Sequence, residues 1–317
     1  MLSVGIDIGG TKIAGGLVDD SGSIVRALRV DTPLTVGAIE SAVAQMIAHL
    51  ADGEDVAVAG VAAAGFIDRD RSTVYFAPNI AWRHEPLRER LEALSGIAIV
   101  IENDANAAGW AEYRFGAGEG LRDVIMLTLG TGVGGAIVTN GELYRGGHGV
   151  GAELGHMRTV PGGIQCGCGQ HGCLEPYGSG RALARIAGEI ADAEPTGRGA
   201  ALAAARAEKG KLTGPAISRL VLGDDPGALA ALERVAVAVG EACGSFSAIL
   251  DPERFVIGGG VSQLGERLLE PMRRAYLGAL PAAGSRPAAD FAIAQMVNDA
   301  GVIGVADLAR RGAAGGM

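Results

Sequence analysis

The sequence has no run of about 20 apolar residues, the length that a membrane-spanning helix needs. It also lacks the basic start of a signal peptide, because Met1-Leu2-Ser3 leads directly into an apolar stretch. We therefore expect a cytoplasmic protein without a membrane partner. Basic residues are too few as well: 27 Lys and Arg stand against 36 Asp and Glu, for a net charge of −9. Because affinity for nucleic acid comes mostly from Lys and Arg on phosphates, we expect no nucleic-acid partner.

Cysteine is scarce and unevenly placed. Of four cysteines, Cys166, Cys168 and Cys173 crowd together, whereas Cys243 stands alone in an apolar segment. In a reducing compartment such crowding favours a bound metal over disulfides. Cys243 is expected to be a core residue.

Glycine, in contrast, is abundant, with 52 residues among 317. Many lie in short clusters beside apolar runs, which indicates tight backbone turns at a ligand. The length itself suggests about two domains, enough for a cleft between them.

Two halves of the chain begin alike, with an apolar strand, a Gly-Thr turn and a returning strand. The first half has strands at 2–8 and 12–18, and the second has them at 124–129 and 135–138. This predicts an α/β fold built by duplication of one unit. Apolar periodicity predicts further strands at 24–30, 56–61, 98–101, 254–257 and 291–294, and helices at 36–51, 87–94, 181–191, 228–250 and 300–310.

The predicted domain boundaries follow from this repeat. We assign residues 1–107 to a small N-terminal α/β domain, onto which a C-terminal helix at 299–317 packs back. Residues 108–298 form a large α/β domain that contains the cysteine-rich segment. The joint is expected near 105–118, and the polar stretch 194–214 is expected to form a peripheral helix pair.

Three glycine loops are candidates for phosphate binding. The first is Asp7-Ile8-Gly9-Gly10-Thr11-Lys12, where backbone N–H groups, a hydroxyl and an ammonium can hold phosphate oxygens. Asp7 would face Mg²⁺, which prefers oxygen ligands. The second is Gly130-Thr131-Gly132-Val133-Gly134 and the third is Gly258-Gly259-Gly260. A hairpin turn would explain the first loop alone, but three loops after apolar strands favour a nucleotide site.

A candidate general base lies in Glu102-Asn103-Asp104-Ala105-Asn106, where a predicted strand ends and a helix begins. A kinase that acts on a hydroxyl needs a carboxylate to accept its proton. Asp104 is our candidate. Its alternative role is to cap a helix that begins at Ala105, and the two roles are compatible.

The strongest metal signal is the segment from Cys166 to Cys173 together with His156. Three thiolates and one imidazole make a tetrahedral Cys₃His zinc site, and four protein ligands indicate a structural ion. His171, inside the cysteine segment, competes with His156 for the fourth position. Glu153 and Glu175 flank this segment. We expect zinc to hold His156 and the loop of Glu175 in place, so that Glu153, His156 and Glu175 contact the hydroxyls of a sugar. Solvated loop charges are the alternative for both glutamates.

These motifs together resemble the ROK family of bacterial sugar kinases and repressors. The resemblance rests on the loop from Asp7 to Lys12, on Glu102–Asn106 and on the Cys-Gly-Cys-Gly-x-x-Gly-Cys-x-Glu pattern of 166–175, and it runs over nearly the whole chain. The stretches 77–82 and 103–116 are most similar to the glucokinases of that family.

The resemblance implies a two-domain hexokinase/actin-type (ribonuclease H-like) fold and a homodimer or homotetramer. It implies transfer of the γ-phosphoryl group of ATP to the 6-hydroxyl of glucose, with Mg²⁺ as cofactor, Asp104 as base and a structural Zn²⁺. The implied glucose-site residues are Gly65, Asn79, Asn103, Asp104, Glu153, His156 and Glu175. The implied zinc ligands are His156, Cys166, Cys168 and Cys173. The implied ATP-site residues are Asp7, Gly9, Gly10, Thr11, Lys12, Gly130, Thr131, Gly132, Gly134, Gly258, Gly259 and Gly260.

Three other functions remain open at this point. A kinase for mannose, fructose or an N-acetylhexosamine such as N-acetylmannosamine would share these motifs. A sugar-binding regulatory protein would share the same body without kinase activity. An actin-like filament or chaperone ATPase would share the fold, but it would have no evident use for the zinc segment or the two glutamates.

Overall fold

The computed structural model describes residues 1–296 and 298–315, which divide into two compact units. The first unit comprises Met1–Arg122, Ala136–Ala152 and Gln295–Met317, and the second comprises Asp123–Gly135 and Glu153–Ala294. The expected joint at 105–118 therefore falls inside the first unit. The domain boundaries given above stay predictions, and residues 316 and 317 of the expected C-terminal helix lie outside the described residues.

The strands are β1 (Ser3–Ile8), β2 (Lys12–Val18), β3 (Ile24–Asp31), β4 (Val58–Ala63), β5 (Phe66–Ile67), β6 (Val74–Phe76), β7 (Arg83–Glu85), β8 (Ala98–Asn103), β9 (Val124–Leu129), β10 (Val133–Thr139), β11 (Glu142–Leu143), β12 (Arg254–Gly258) and β13 (Asp290–Ile293). The helices are α1 (Val36–Ala51), α2 (Leu87–Ser95), α3 (Asp104–Phe115), α4 (Glu175–Gly178), α5 (Gly180–Ala193), α6 (Ala200–Lys209), α7 (Gly214–Leu222), α8 (Pro226–Leu250), α9 (Glu266–Ala279) and α10 (Ala300–Gly315). Two 3-10 turns occupy Leu154–His156 and Gly260–Leu264.

The first unit is organised around a five-stranded sheet of order β3-β2-β1-β4-β8. Strands β1, β4 and β8 are parallel, and β2 is antiparallel to both of its neighbours. Every residue of β4 is buried, as expected of a central parallel strand covered on both faces. A small antiparallel sheet, β5-β6-β7, accompanies it.

Helix α1 covers one face of this sheet because its apolar residues recur every three or four positions. Ile39, Val43, Met46, Ile47 and Leu50 are all buried and join the core formed with β1 and β4. Burying one such side chain contributes about 1.5–3 kcal/mol. The amphipathic pattern alone thus dictates where α1 packs.

Helix α10 packs on β1, β4 and α3, at very close range. A Cβ atom added to Gly5 of β1 would lie 2.0 Å from the carbonyl oxygen of Val302, and one added to Gly304 would lie 1.8 Å from that of Ala107. Any side chain at either position would push the helix away. The two glycines therefore allow α10 to support both the sheet and α3.

Asp307 anchors α10 through a buried charge network. Its carboxylate accepts hydrogen bonds from Trp110 Nε1 at 2.9 Å, Arg114 Nε at 3.1 Å and Arg310 Nη2 at 2.6 Å. Burial alone would raise the pKa of Asp307, but these hydrogen bonds outweigh burial and lower it. The ionised carboxylate is thus favoured by folding.

We expect Asp307→Asn to lower the free energy of unfolding by about 3–5 kcal/mol, since it breaks a buried ion pair. Because folding depresses this pKa, the wild-type stabilisation is present above the usual aspartate pKa and is lost as pH falls through the lower folded value. Urea melts of both proteins at pH 7 and below pH 4 measure this effect. A difference that stays constant over the whole range would contradict it.

The second unit contains the parallel strands β9, β12 and β13, in that order. Its longest helix, α8, begins where Asp225 accepts a hydrogen bond from the N–H of Ala228 at 2.8 Å. Cys243 in α8 is fully buried, which confirms its expected place in the core. In each unit, one strand of the parallel set is directly followed by a Gly-Thr turn: β1 in the first unit and β9 in the second.

Most predicted elements are confirmed within one or two residues at their ends. The stretch 194–214 does contain α6 and the start of α7. The small sheet β5-β6-β7 and helix α9 had no prediction. The three strands are only two or three residues long, and α9 contains Pro271, a residue that usually interrupts helices. Across the described residues, every helix falls short of the length and apolar character that crossing a membrane demands.

Candidate functional site

In the first unit, the candidate residues gather at the carboxyl edge of the parallel strands. The register aligns Asp7 of β1 with Ala62 of β4, and Ala62 with Glu102 of β8. The chain leaves β4 toward Gly65, beside the end of β1, and leaves β8 at Asn103, beside the end of β4. In α/β sheets, this edge is where ligands usually bind.

The first glycine loop is a tight turn between β1 and β2. The N–H of Gly9 donates to the carbonyl of Lys12 at 3.0 Å, and Thr32 Oγ1 donates to the carbonyl of Gly9 at 2.7 Å. Gly10, Thr11 and Lys12 are exposed. Asn79 lies next to the turn, since a Cβ atom on Gly10 would be 3.7 Å from its own Cβ. Hydrogen bonds thus hold the backbone of the turn, while its exposed residues remain accessible to an anion.

Asn103, rather than Asp104, caps helix α3, which corrects the sequence-based expectation. The Asn103 side chain accepts a hydrogen bond from the N–H of Asn106 at 3.0 Å, and its Nδ2 donates to the carbonyl of Gly65 at 3.0 Å. The helix begins one residue earlier than expected, at Asp104. Asn and Asp are equally good caps, so the sequence alone favoured neither.

Asp104 is left with a carboxylate that is not committed to capping. Burial raises its pKa, against the opposing effect of a hydrogen bond from the N–H of Ala105 at 2.9 Å. The pKa of Asp7 is raised to about 6, first by burial and then by the charge of Asp104. Asp7 and Asp104 are therefore close enough to influence each other electrostatically, and the raised pKa of Asp7 brings its protonation toward neutral pH.

In the second unit, the other two glycine loops lie side by side. The N–H of Gly130 donates to the carbonyl of Gly132 at 3.0 Å, which closes a turn after β9. Gly259 follows β12 with φ of 84°, and a Cβ atom there would lie 2.6 Å from the carbonyl group of Leu129. Because β9 and β12 are parallel neighbours, their ends bring both loops to one edge. Gly134 lies in β10, and Gly258 ends β12.

The four candidate metal ligands come together in the second unit. One ligand atom from each of His156, Cys166, Cys168 and Cys173 lies within 4.8 Å of all the others. The sulfurs of Cys168 and Cys173 are 3.7 Å apart, and Nδ1 of His156 is 3.5 Å from the Cys166 sulfur. A tetrahedral zinc with ordinary bond lengths sets these separations at about 3.8 and 3.5 Å. The donor set and its spacing fit zinc.

His171, the competing histidine, forms an isolated β-bridge with Gln165 and is exposed. Its ring is therefore not part of the cluster formed by His156 and the three cysteines. His156 comes from the 3-10 turn Leu154–His156, directly after the exposed Glu153.

Glu175 connects this cluster to the second glycine loop. It begins α4, two residues after Cys173, and its Oε2 accepts a hydrogen bond from the N–H of Val133 at 3.2 Å. Its Oε1 lies 3.8 Å from the Cys166 sulfur. A Cβ atom on Gly132 would be 2.2 Å from Oε2, so only glycine permits this approach. Glu175 therefore contacts both the metal cluster and the second glycine loop.

Sequence reasoning missed two features of the site. The contact between Glu175 and Val133 joins residues that are distant along the chain, and no motif indicates it. The buried ion pairs of Glu102 with Arg71 and Arg145 were also missed. Only the position of Glu102, directly before Asn103 and Asp104, offered a signal.

The whole chain is similar to a family of known proteins. The family model described as "ROK family" matches residues 3–312. A glucokinase of Streptomyces coelicolor is 46% identical over 309 residues, which cover 98% of each chain.

Solved structures give the same result. The crystal structure of a ROK family glucokinase from Streptomyces griseus in complex with glucose and AMPPNP has a TM-score of 0.87 and 46% identity, covering 98% of this chain and 100% of the other. The ROK hexokinase of Thermus thermophilus has a TM-score of 0.81 and 34% identity, with both chains covered completely. The fold is therefore the hexokinase/actin-type α/β fold of these sugar kinases. The chain belongs to the ROK family.

Proposed function

We propose that the protein is an ATP-dependent glucokinase, which transfers the γ-phosphoryl group of ATP to the 6-hydroxyl of glucose and yields glucose 6-phosphate and ADP. The observation that carries this proposal is its likeness, over 98% of its length, to a glucokinase crystallised with glucose and an ATP analogue. The two carboxylates at the edge of the first sheet supply chemistry that suits this reaction.

Asp104 is the general base in this proposal. The 6-hydroxyl must lose its proton as the bond to phosphorus forms, and Asp104 accepts it. A carboxylate whose pKa is raised by burial is a better proton acceptor at neutral pH than an ordinary aspartate. General-base catalysis of this type contributes about 10²–10⁴-fold to the rate.

The glycine loops hold the nucleotide. In our proposal, Gly9–Lys12, Gly130–Gly134 and Gly258–Gly260 bind the ATP phosphates through backbone N–H groups, with added contacts from Thr11, Lys12 and Thr131. Bound Mg²⁺ neutralises phosphate charge during transfer. Asp7 would hold this ion, directly or through water, since a carboxylate beside a second carboxylate is a donor set that Mg²⁺ prefers.

We propose that Gly65, Asn79, Asn103, Glu153, His156 and Glu175 bind glucose, with Asp104 at its 6-hydroxyl. His156, Cys166, Cys168 and Cys173 would hold a structural Zn²⁺, which would order the segment that carries Glu153, His156 and Glu175.

Further proposals concern the whole protein. We propose a cytoplasmic location, because ATP is present there and cysteines stay reduced there. We propose a homodimer or homotetramer, and a division into a small domain (1–107 and 299–317) and a large domain (108–298).

The proposal is tested by ADP release with Mg-ATP against glucose, mannose, fructose, N-acetylglucosamine and N-acetylmannosamine. We expect kcat/KM for glucose to exceed that for every other sugar by about tenfold, equivalent to about 1.4 kcal/mol of transition-state discrimination. If another sugar is preferred, the protein is still a sugar kinase, but its substrate is that sugar rather than glucose. Zinc-replete protein that turns over none of the sugars would refute the kinase.

A further inference from the structure

Glu102 is the most deeply buried charge beside the candidate base. Its side chain is 0% exposed. One carboxylate oxygen, Oε1, accepts hydrogen bonds from the N–H of Asn103 at 2.9 Å, from Asn106 Nδ2 at 3.1 Å and from Arg145 Nε at 3.1 Å. The other, Oε2, forms ion pairs with Arg145 Nε at 2.9 Å and Arg71 Nε at 3.2 Å. A charge buried to this extent is tolerated only when it is paired in this way.

The partners of Glu102 come from separate segments of the first unit. Arg71 lies in the loop between β5 and β6, with φ of 55°, and its carbonyl accepts a hydrogen bond from the N–H of Ile101. Arg145 follows β11, and its Nη1 and Nη2 donate to the carbonyls of Arg69 at 2.9 Å and Asp68 at 3.0 Å. Glu102 thus adds a buried charged link between the end of β8 and two loops that these carbonyl hydrogen bonds also hold together.

The contacts of Glu102 bracket Asp104. Glu102 binds the backbone N–H of Asn103, which directly precedes Asp104, and the side chain of Asn106, which follows it by two residues. These two contacts orient the first turn of α3, from which the Asp104 carboxylate projects. Catalysis depends steeply on such orientation, and a misplacement of about 1 Å can reduce a rate by about 10²-fold.

We propose that Glu102 is a positioning residue for the general base: with Arg71 and Arg145 it holds the first turn of α3 so that Asp104 meets the substrate hydroxyl. This inference rests on the proposed function, because it needs Asp104 to be the base. Glu102 itself touches no substrate. Its main effect is on the rate of phosphoryl transfer, with a smaller effect on sugar affinity through Asn103 and none on nucleotide affinity.

The test compares Glu102→Gln with Glu112→Gln. Both glutamates are fully buried in the first unit, and Glu112 lies at the far end of α3, where it accepts hydrogen bonds from the N–H groups of Ala117 at 2.9 Å and Met296 at 2.6 Å. Both variants are expected to lower Tm. Only Glu102→Gln is expected to lower kcat, by about tenfold or more, with the KM for ATP and the Kd for the sugar within about threefold of wild type.

A double-mutant cycle separates positioning from general destabilisation. If Glu102 acts through Asp104, Glu102→Gln should reduce the residual kcat of Asp104→Asn by less than about twofold, because the group that it orients is already lost. Arg145→Lys, which keeps the charge but loses the Nε–H group, should lower kcat in the same manner and serves where Glu102→Gln fails to fold.

Two results would overturn the proposal. The first is a folded Glu102→Gln or Arg145→Lys protein with wild-type kcat, and the second is a loss that multiplies fully with that of Asp104→Asn. All rates are measured with whichever sugar the wild-type enzyme prefers. A failure of the glucose assignment therefore leaves this test intact, whereas failure of the kinase itself is seen in the wild-type protein alone.

Discussion

Asp104→Asn is expected to lower kcat by about 10²–10⁴-fold while glucose binding stays within about threefold of wild type. The amide has nearly the shape of the carboxylate but cannot accept the proton of the 6-hydroxyl. Steady-state kinetics and calorimetric titration with glucose measure the two effects. Because burial raises the pKa of Asp104, the wild-type kcat should also fall on the acid side at a pH above the usual aspartate pKa, and the residual rate of the variant should not.

A matched control for this variant is Asp19→Asn. Asp19 lies in the turn between β2 and β3, where its carboxylate accepts hydrogen bonds from Ser21 and Ser23, so its variant should keep wild-type kcat. An independent readout is the pKa of Asp7, which should fall in Asp104→Asn because the charge of Asp104, which raises it in addition to burial, is gone. The assignment of the base is wrong if Asp104→Asn turns over within tenfold of wild type, or if it loses glucose binding while ATP hydrolysis persists.

Cys173→Ser is expected to remove zinc and to raise the KM for glucose by about tenfold or more. Cys173 is fully buried among the four ligand atoms, and Glu175 follows it by two residues. Without the ion, both His156 and Glu175 lose the anchor that holds them toward the sugar. Because Glu175 also binds the N–H of Val133, the KM for ATP should rise too, which an ion that served only the sugar pocket would not cause.

Cys243→Ala is the control for this experiment. Its thiol is buried in α8 and is outside the metal cluster, so zinc content and both KM values should remain at wild-type levels even if Tm falls. Metal analysis and kinetics on the same preparations give the comparison. Full zinc content in Cys173→Ser, or a normal glucose KM in zinc-free protein, would show that the ion has no part in substrate binding.

The sequence alone was sufficient for the elements whose physics is local. Apolar spacing placed α1 correctly from Val36 to Ala51. The glycine turns after β1, β9 and β12 were visible as glycine clusters that directly follow apolar strands, and Gly259 has a positive φ that favours glycine. The spacing of the three cysteines predicted a metal cluster, since few other functions need three thiols so close together in the sequence. These signals lie within short stretches of sequence.

Features that depend on contacts between distant residues could not be predicted. The choice between His156 and His171 needed the fold, because both histidines lie at plausible spacing. The cap of α3 was misassigned by one residue, since Asn103 and Asp104 have the same intrinsic preference and only the contact with Gly65 distinguishes them. The partnership of Glu102 with Arg145, more than forty residues apart along the chain, has no local signature.

The most direct test of the account is product analysis. Wild-type protein incubated with Mg-ATP and glucose should release one ADP for each sugar phosphate, and the phosphate should reside on the 6-hydroxyl, as detected by ³¹P NMR or by the NADP-linked oxidation of glucose 6-phosphate. Asp104→Asn should form about 10²-fold less product in the same time. ADP release without any phosphorylated glucose, or phosphate on another hydroxyl, would contradict the proposed reaction.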